Sequence, residues 1–460
     1  MIRRIQRVHF VGIGGIGMSG LAEILHASGY SVSGSDARDS STTERLRRLG
    51  ISVRTEHVAS AVEQAHVVVY SSAIAANNPE LQAARSHHIP VIPRAEMLAE
   101  LMRIKYGVAI AGSHGKTTTT SLVGAVLQTG GLDPTIIVGG VVKSLGTNSR
   151  LGSGDVLVAE ADESDGSFLQ LIPNVVVVTN IDREHIDHYQ SFQKLTRAFL
   201  DFTNRVPFYG ACVLCLDDSN VQAMLPDVAR RVTTYGLSAQ ADLVAEEIVS
   251  HGLETRFLVN WGGNKLGSIR LRMSGLHNVR NALAAISVGL EFDVPFAQIQ
   301  QAVEDFDGVE RRFEICGERG GVLVVNDYAH HPTEIRATLK AAREALGRRI
   351  VAVFQPHRYT RTRNLFNEFA HSFHDSDVLI MTEVYPAGEP ELAGAQARSL
   401  AEAIRDHGHR EVHWVPETAE VIPTLRRLAR AGDLVLFMGA GDIGRLPARY
   451  LEDTEGGSGD

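Results

Sequence analysis

The 460-residue sequence predicts an α/β protein of three successive domains with mostly parallel sheets, and three observations carry that reading. The length is about three times a typical domain of roughly 150 residues. Short β-rich runs alternate with helical stretches along nearly the whole chain, as in a parallel sheet covered by helices. That rhythm restarts twice, after charged junctions around 103–106 and 307–314. The expected domains are therefore 1–104, 105–313 and 314–460.

In the first series, 8–12, 31–34 and 67–71 read as strands, with helices at 21–28, 42–49 and 79–86. The second opens with a strand at 108–111 and a helix from about 117 to 127. It continues through strands at 156–160 and 175–180 and a helix near 278–290. The third has strands at 322–326, 350–354, 378–382 and 434–438, and helices opened by Pro332, near 363–374 and near 397–406. The acidic, Gly/Ser-rich stretch 452–460 reads as a frayed tail.

Composition narrows the function classes. With 44% hydrophobic and 22% charged residues the chain is ordinary globular protein, and 43 Gly and 15 Pro are too few for low complexity. Its 45 basic and 54 acidic residues sum to −9, which disfavours a broad basic face for nucleic acid. Three cysteines cannot build a disulfide framework, no leader opens the chain, and no apolar run approaches the roughly 18–20 residues of a membrane span. The expectation is a reduced cytoplasmic protein without membrane insertion. Cys212 and Cys215 match C-x-x-C, but inside an apolar run they read as core residues on opposite faces of a strand.

Three glycine-rich loops follow strands. Gly12-Ile-Gly14-Gly15-Ile-Gly17, with Asp36 about 20 residues on, is a dinucleotide fingerprint in its proper place. Glycines admit a pyrophosphate to the backbone, helix N–H groups receive it, and Asp36 suits a sugar hydroxyl. NAD(P) and a UDP-type ligand both remain open from this motif. Gly439-Ala-Gly441-Asp-Ile-Gly444 fits the same pattern, yet too little chain follows for a returning strand, so it reads as a packing turn.

The central loop, Gly112-Ser113-His114-Gly115-Lys116-Thr117-Thr118, is more specific. Its amides can cradle phosphate, Lys116 can neutralise β/γ-phosphates, and the Thr117 hydroxyl can ligate Mg²⁺. It is shorter than a standard P-loop, with Ile110 where that pattern has glycine. Two strand ends then supply acids: Glu160-Ala-Asp162-Glu163-Ser-Asp165, and Asn180-Ile-Asp182-Arg-Glu184-His185. Glu160 is the expected Mg²⁺ carboxylate, and His185 an N-ligand that would tolerate Mn²⁺.

With these residues the chain resembles the Mur ligase family over essentially its whole length, through GIGGIGMSGLA (12–22), AGSHGKTTTT (111–120), EADESDGSFL (160–169), TNIDREHIDHY (179–189), GLHNVRNALA (275–284), DYAHHPTE (327–334) and QPHRYTRTR (355–363). The short phosphate loop is the family's own form. The resemblance implies an N-terminal Rossmann-like domain for a UDP-sugar, a central P-loop-type ATPase domain, and a C-terminal Rossmann-like domain serving ATP and an amino acid. Within the family, GIGGIGMSGLA and QPHRYTRTR imply ATP-dependent joining of L-alanine to the carboxylate of UDP-N-acetylmuramate. A ligase adding a recycled tripeptide is the near alternative; an NAD-dependent oxidoreductase or a nucleotide-switched UDP-sugar sensor is the alternative from another class.

Carried over by position, Gly12, Gly14, Gly15, Gly17, Asp36, His57, Ser71 and Ser72 face the UDP-sugar. Gly112, Ser113, His114, Gly115, Lys116, Thr117 and Thr118 hold ATP phosphates, with His277, Asn278 and Asn281 on the adenine side, Arg312 near the γ-phosphate and Asp327 by the ribose. Thr117, Glu160 and His185 hold magnesium; Tyr328, His330, His357, Arg358 and Arg361 shape the L-alanine site. Lys116, Arg312 and His330 are the expected catalytic residues, His330 as base or relay. Several sibling ligases place a carbamylated lysine about 14 residues after the His185 position. This chain has Phe199 there, so no carbamate is expected. The expected assembly is a monomer or homodimer.

Overall fold

The computed structural model describes residues 5–71, 73–143 and 147–452. Ser72, expected at the UDP-sugar, and the 453–460 tail lie outside the described residues. The chain forms two compact units. One runs up to Glu247 and takes in Phe257–Arg270 and Arg280–Asp307; the other comprises Ile248–Arg256, Leu271–Val279 and the chain from Gly308 onward. Three sheets run through these units in a three-domain α/β architecture. Among the described residues no helix is long and apolar enough to cross a membrane.

The first sheet has five parallel strands in the order Ser52–Arg54, Ser31–Ser35, Arg7–Val11, Val67–Tyr70, Val91–Pro93. Strand order reverses at Arg7–Val11, and in such sheets ligands bind at the carboxyl edge beside the reversal. Helices cover both faces, so the strands read as apolar runs such as VVVY at Val67–Tyr70. Local chemistry starts the helices: Ser40 and Thr43 form a capping box for Ser41–Arg48, and Asn78 caps Pro79–Ser86 with proline in the first turn.

Only Lys105 separates the helix Arg94–Ile104 from the strand Tyr106–Ala111, and both elements lie in the same compact unit. Leu98, Leu101 and Met102 of that helix pack in the same core as Ala109 and Leu157. Tyr106–Ala111 lies inside the ten-stranded second sheet, between Val175–Val178 and Val156–Glu160 and parallel to both. All four valines of Val175–Val178 are fully buried. Cys212 and Cys215 lie buried in the strand Ala211–Cys215, where burial pushes their thiols up to about 12 and about 11. Phe199 is fully buried, its ring 5.4 Å from that of Phe168.

The third sheet orders Glu314–Arg319, Val322–Asp327, Leu434–Met438, Ile350–Phe354, Val378–Met381 and Val412–Trp414, with only the first pair antiparallel. Pro332–Leu346 begins on proline, is capped by His331, and ends at Gly347 in the left-handed region. The single helix expected near 363–374 is instead two short ones, Tyr359–Asn364 and Phe366–Ala370, broken at Leu365. Burying Leu365, Phe369 and Phe373 in one core with Phe354 outweighs helix continuity there.

Candidate active site

The strand Tyr106–Ala111 ends in the loop 112–115, and the helix Lys116–Thr129 starts directly behind it, capped by Gly115 at φ 81°. The four threonines after Lys116 are all buried in its first turns. The neighbouring strand end holds the loop's shape. Thr179 Oγ1 and Asn180 Nδ2 donate to the His114 carbonyl (2.6 and 3.0 Å), Asn180 Oδ1 accepts from the His114 amide (2.8 Å), and the Asp182 amide donates to Ser113 Oγ (2.8 Å). His114 Nε2 meets Asp182 Oδ2 at 2.9 Å.

Lys116 Nζ donates to the Gly112 carbonyl (2.6 Å) and to both oxygens of Glu163 (2.8 and 2.9 Å). Burial disfavours its charge, but Glu163, Asp162 and Glu160 outweigh burial and hold the ammonium pKa above the usual lysine range. Burial raises the carboxyl of Glu163, which is 0% exposed, to about 7 against the pull of Lys116. Beside this pair, Thr117 Oγ1 donates to Glu160 at 3.1 Å and the Gly139 amide donates to Glu160 at 2.8 Å. His185, at φ 54°, lies instead against Glu163 (3.9 Å) and Glu184 (3.8 Å). The expected metal residues thus fall into two groups: Thr117 with Glu160, and His185 with two acids. Glu163, Glu184 and His185 have ligand atoms within 4.8 Å of one another.

Of the residues expected on the adenine side, Asn281 accepts from Thr119 Oγ1 (3.2 Å), and a Cβ at Gly115 would lie 2.6 Å from its Oδ1. His277 and Asn278 stand in the first turn of the same helix, Leu276–Glu291, where Asn278 Nδ2 donates to the Ser274 carbonyl at 2.9 Å.

The residues expected at the UDP-sugar gather at the carboxyl edge of the first sheet. Gly12 follows Arg7–Val11, Asp36 follows Ser31–Ser35, His57 follows Ser52–Arg54 and Ser71 follows Val67–Tyr70. Asp36 turns back on the loop, accepting from the Gly14 amide at 2.8 Å. A Cβ on Gly17 would lie 2.7 Å from an Arg94 guanidinium nitrogen, and Arg94 reaches Asp162 at 3.7 Å.

In the second unit the amino-acid candidates follow the ends of Val322–Asp327 and Ile350–Phe354, the two strands that flank Leu434–Met438. His330 Nδ1 contacts the Tyr328 carbonyl (2.9 Å), and its ring is 5.9 Å from that of His357. His357 stacks on Tyr385, and its Nδ1 meets Arg361 at 3.3 Å. Arg358, at φ 71°, donates to Glu389 (2.6 Å). The Arg311 and Arg312 guanidinium groups lie over the Tyr328 ring at 4.9 and 5.1 Å, and Arg312 reaches Glu334 at 4.0 Å. Asp327 is buried and accepts from the amides of Phe313 (2.7 Å) and Ala329 (2.8 Å); burial raises its carboxyl despite Arg312. The second glycine-rich turn packs on protein: Arg311 donates to the carbonyls of Gly439 (2.6 Å) and Gly441 (3.1 Å).

Burial, with His330, Arg361 and Arg358 alongside, drives His357 down to about 3. The ring is neutral in the folded chain while an unfolded histidine takes a proton below about pH 6.5. Stability is therefore expected to fall as pH drops from about 6.5 towards 3, by up to about 1.4 kcal/mol per pH unit from this group. Urea unfolding of wild type and His357→Gln across that range checks it; identical slopes refute the assignment.

Three family models tile the chain: "Mur ligase family, catalytic domain" at 7–106, "Mur ligase middle domain" at 110–289, and "Mur ligase, glutamate ligase domain" at 311–441. A UDP-N-acetylmuramate--L-alanine ligase of Geotalea daltonii is 56% identical over 98% of this chain and 99% of its own. The chain belongs to the Mur ligase family. Among solved structures, a UDP-N-acetylmuramate-alanine ligase from Thermotoga maritima matches with TM-score 0.81 at 30% identity, covering 97% of this chain and 98% of that one. A murein peptide ligase from Psychrobacter arcticus, at TM-score 0.72 and 24% identity over 97% and 98% of the two chains, shares the fold.

In this Mur ligase, sequence reasoning passed over three residues that the geometry brings to the fore. Glu163 was one acid in a crowded run, and no local pattern distinguishes the carboxylate that pairs with Lys116 from the one that pairs with Thr117. Arg311 stood beside the chosen Arg312, and only the fold shows that it clamps the distant turn 439–441. Glu80 carried no motif at all, yet it is 0% exposed beneath the first sheet's carboxyl edge.

Proposed function

We propose that this protein joins L-alanine to the carboxylate of UDP-N-acetylmuramate, using ATP and passing through an acyl phosphate, to give UDP-MurNAc-L-Ala, ADP and phosphate. The observation that carries this reading is the charged Lys116 directly after a phosphate-cradling loop, beside the Thr117–Glu160 pair, in a chain whose near-full-length relatives bear that activity in their names. The same reading takes 1–104 as the UDP-sugar domain, 105–313 as the ATP domain and 314–460 as the amino-acid domain, in a cytoplasmic monomer or homodimer.

Thr117 and Glu160 offer hard oxygen ligands 3.1–3.3 Å apart next to the phosphate loop, and this set fits Mg²⁺. Glu163, Glu184 and His185 form a second group whose nitrogen donor also suits Mn²⁺. A metal bound by Thr117 and Glu160 would supply charge neutralisation at the phosphates.

The chain's own residues account for the rest. A carboxylate does not accept an amine in water, so its oxygen first attacks the γ-phosphorus and ADP leaves. Both reactants are anionic. Lys116 releases Glu163 to meet the phosphates, and with Arg312 it stabilises the charge spreading over the transferred group. The L-alanine amine then attacks the acyl carbon, loses a proton and expels phosphate. His330 is the better base of the two histidines: its Nδ1 is engaged by the Tyr328 carbonyl, which puts the basic lone pair on Nε2, whereas His357 at about 3 is too weakly basic. Asp327 ties Phe313 to Ala329 at the end of Val322–Asp327, its two carboxylate oxygens each accepting a backbone N–H.

The test is phosphate release from ATP in the presence of UDP-MurNAc and each amino acid or tripeptide in turn. L-Alanine is expected to stimulate release strongly, the tripeptide not, and excess chelator to abolish it until Mg²⁺ is restored. No stimulation by L-alanine over buffer refutes the reading.

A further inference from the structure

Beneath the carboxyl edge of the first sheet lies a buried carboxylate that none of the chemistry above uses. Glu80, in the first turn of Pro79–Ser86, is 0% exposed. Its Oε2 accepts from Ser35 Oγ at 2.5 Å and lies 3.5 Å from both His9 Nε2 and His57 Nδ1, while its Oε1 accepts from the Val58 amide at 3.2 Å. Ser35 Oγ also meets His57 Nδ1 at 2.8 Å. A serine that donates its single hydrogen to Glu80 can only accept from His57, so the series Glu80, Ser35, His57 requires a hydrogen on His57 Nδ1. His9 closes the other side, itself 2% exposed and bonded through Nδ1 to Ser33 Oγ at 2.9 Å.

A fully buried carboxylate is an expensive way to shape a core, since unpaired it costs several kcal/mol and a well-packed apolar side chain serves as well or better. Burial pushes the Glu80 carboxyl up, but the nearby His9 ring, the Ser35 hydrogen bond and the Val58 amide together bring it below the usual range. The group is kept ionised, and every partner it has is either a histidine, the serine that bonds a histidine, or the backbone next to His57.

We infer that Glu80 is a positioning residue of the UDP-sugar site: through Ser35 it fixes the ring and the Nδ1–H tautomer of His57, and so commits Nε2 as the atom that meets the nucleoside-diphosphate sugar. This rests on the reading that His57 faces the UDP-sugar. A buried carboxylate reaching a ligand-facing histidine through its far nitrogen is the general device by which proteins fix imidazole tautomers.

The experiment uses Glu80→Gln, Ser35→Ala and His57→Ala in the full-length enzyme, with steady-state kinetics and ¹⁵N NMR of the histidine rings. In wild type His57 is expected as the Nδ1–H tautomer. In Glu80→Gln and Ser35→Ala it becomes a mixture, KM for UDP-MurNAc rises about tenfold, and KM for ATP and kcat stay within about twofold. Ser35→Ala leaves the Glu80 contacts to His9 and Val58 in place, so it keeps the test valid if Glu80→Gln folds poorly. If His57→Ala raises KM for UDP-MurNAc while Ser35→Ala changes neither KM nor tautomer, the relay is refuted and the UDP-sugar reading stands. If His57→Ala leaves KM unchanged, His57 does not face the substrate and the inference falls with that premise.

Discussion

Lys116→Ala is expected to lower ATP-dependent phosphate release by at least about 10²–10³-fold, or roughly 3–4 kcal/mol of transition-state stabilisation, with the fold retained. The ammonium is the one side-chain cation bonded within the 112–116 loop among the described residues, and it sits against three carboxylates that keep it charged. Removing one partner of a buried pair ordinarily destabilises by about 3–5 kcal/mol because the other charge is stranded. Glu163 has an escape, because burial already raises its carboxyl to about 7 and losing Lys116 raises it further. It takes up a proton in the folded variant, while an unfolded glutamate titrates near 4.3. A raised carboxyl favours the fold at low pH and loses that benefit as pH rises, so Lys116→Ala is expected to be more destabilised at pH 8 than at pH 6. Adding Glu163→Gln should remove that difference in thermal unfolding. Retained turnover in Lys116→Ala removes the loop from the mechanism.

Gly112→Ala is expected to destabilise the first unit by about 3–5 kcal/mol and to abolish ATP binding. Gly112 sits at φ 132°, a backbone conformation that costs a side-chain-bearing residue about 1–3 kcal/mol. A Cβ there would also collide with Thr179 Oγ1 and lie 3.0 Å from the Thr179 amide nitrogen. Thr179 cannot move aside cheaply because its hydroxyl holds the His114 carbonyl, so overpacking adds about 1–3 kcal/mol. Gly131 is the control: at φ 80° with no atom within 4 Å of an added Cβ, its alanine variant is strained by the backbone alone and should lose only about 1 kcal/mol. Equal losses in the two variants, or ATP titrating normally into Gly112→Ala by calorimetry, would falsify the packing account.

Much of the architecture was legible because its signals are local. Apolar runs alternate with helical periods, caps such as Ser40 and Asn78 start helices where the pattern predicts, and each of the three glycine-rich loops directly follows a strand. The helix expected near 363–374 failed for a non-local reason: Leu365 is drawn into the core around Phe354, which propensity does not register. The residues expected to hold magnesium are brought together only in part. Thr117 and Glu160 do meet, since Ile110 pairs with Glu160 in parallel register just before the loop, but His185 arrives from the end of Val175–Val178 on the side of Glu163.

The sequence by itself determined the α/β class, the two restarts of the strand–helix rhythm, the glycine-rich loops and the acids and histidines at strand ends, because each is written in spacings of a few residues. Tertiary structure alone decided the partners: Glu163 for Lys116 across 47 positions, Asp36 for the Gly14 amide across 22, and Glu80 for Ser35 across 45. The physical reason is that such pairs depend on which strands lie side by side and in what register. Those choices maximise buried apolar surface and minimise unpaired polar groups over the whole sheet, and no short window of residues encodes them.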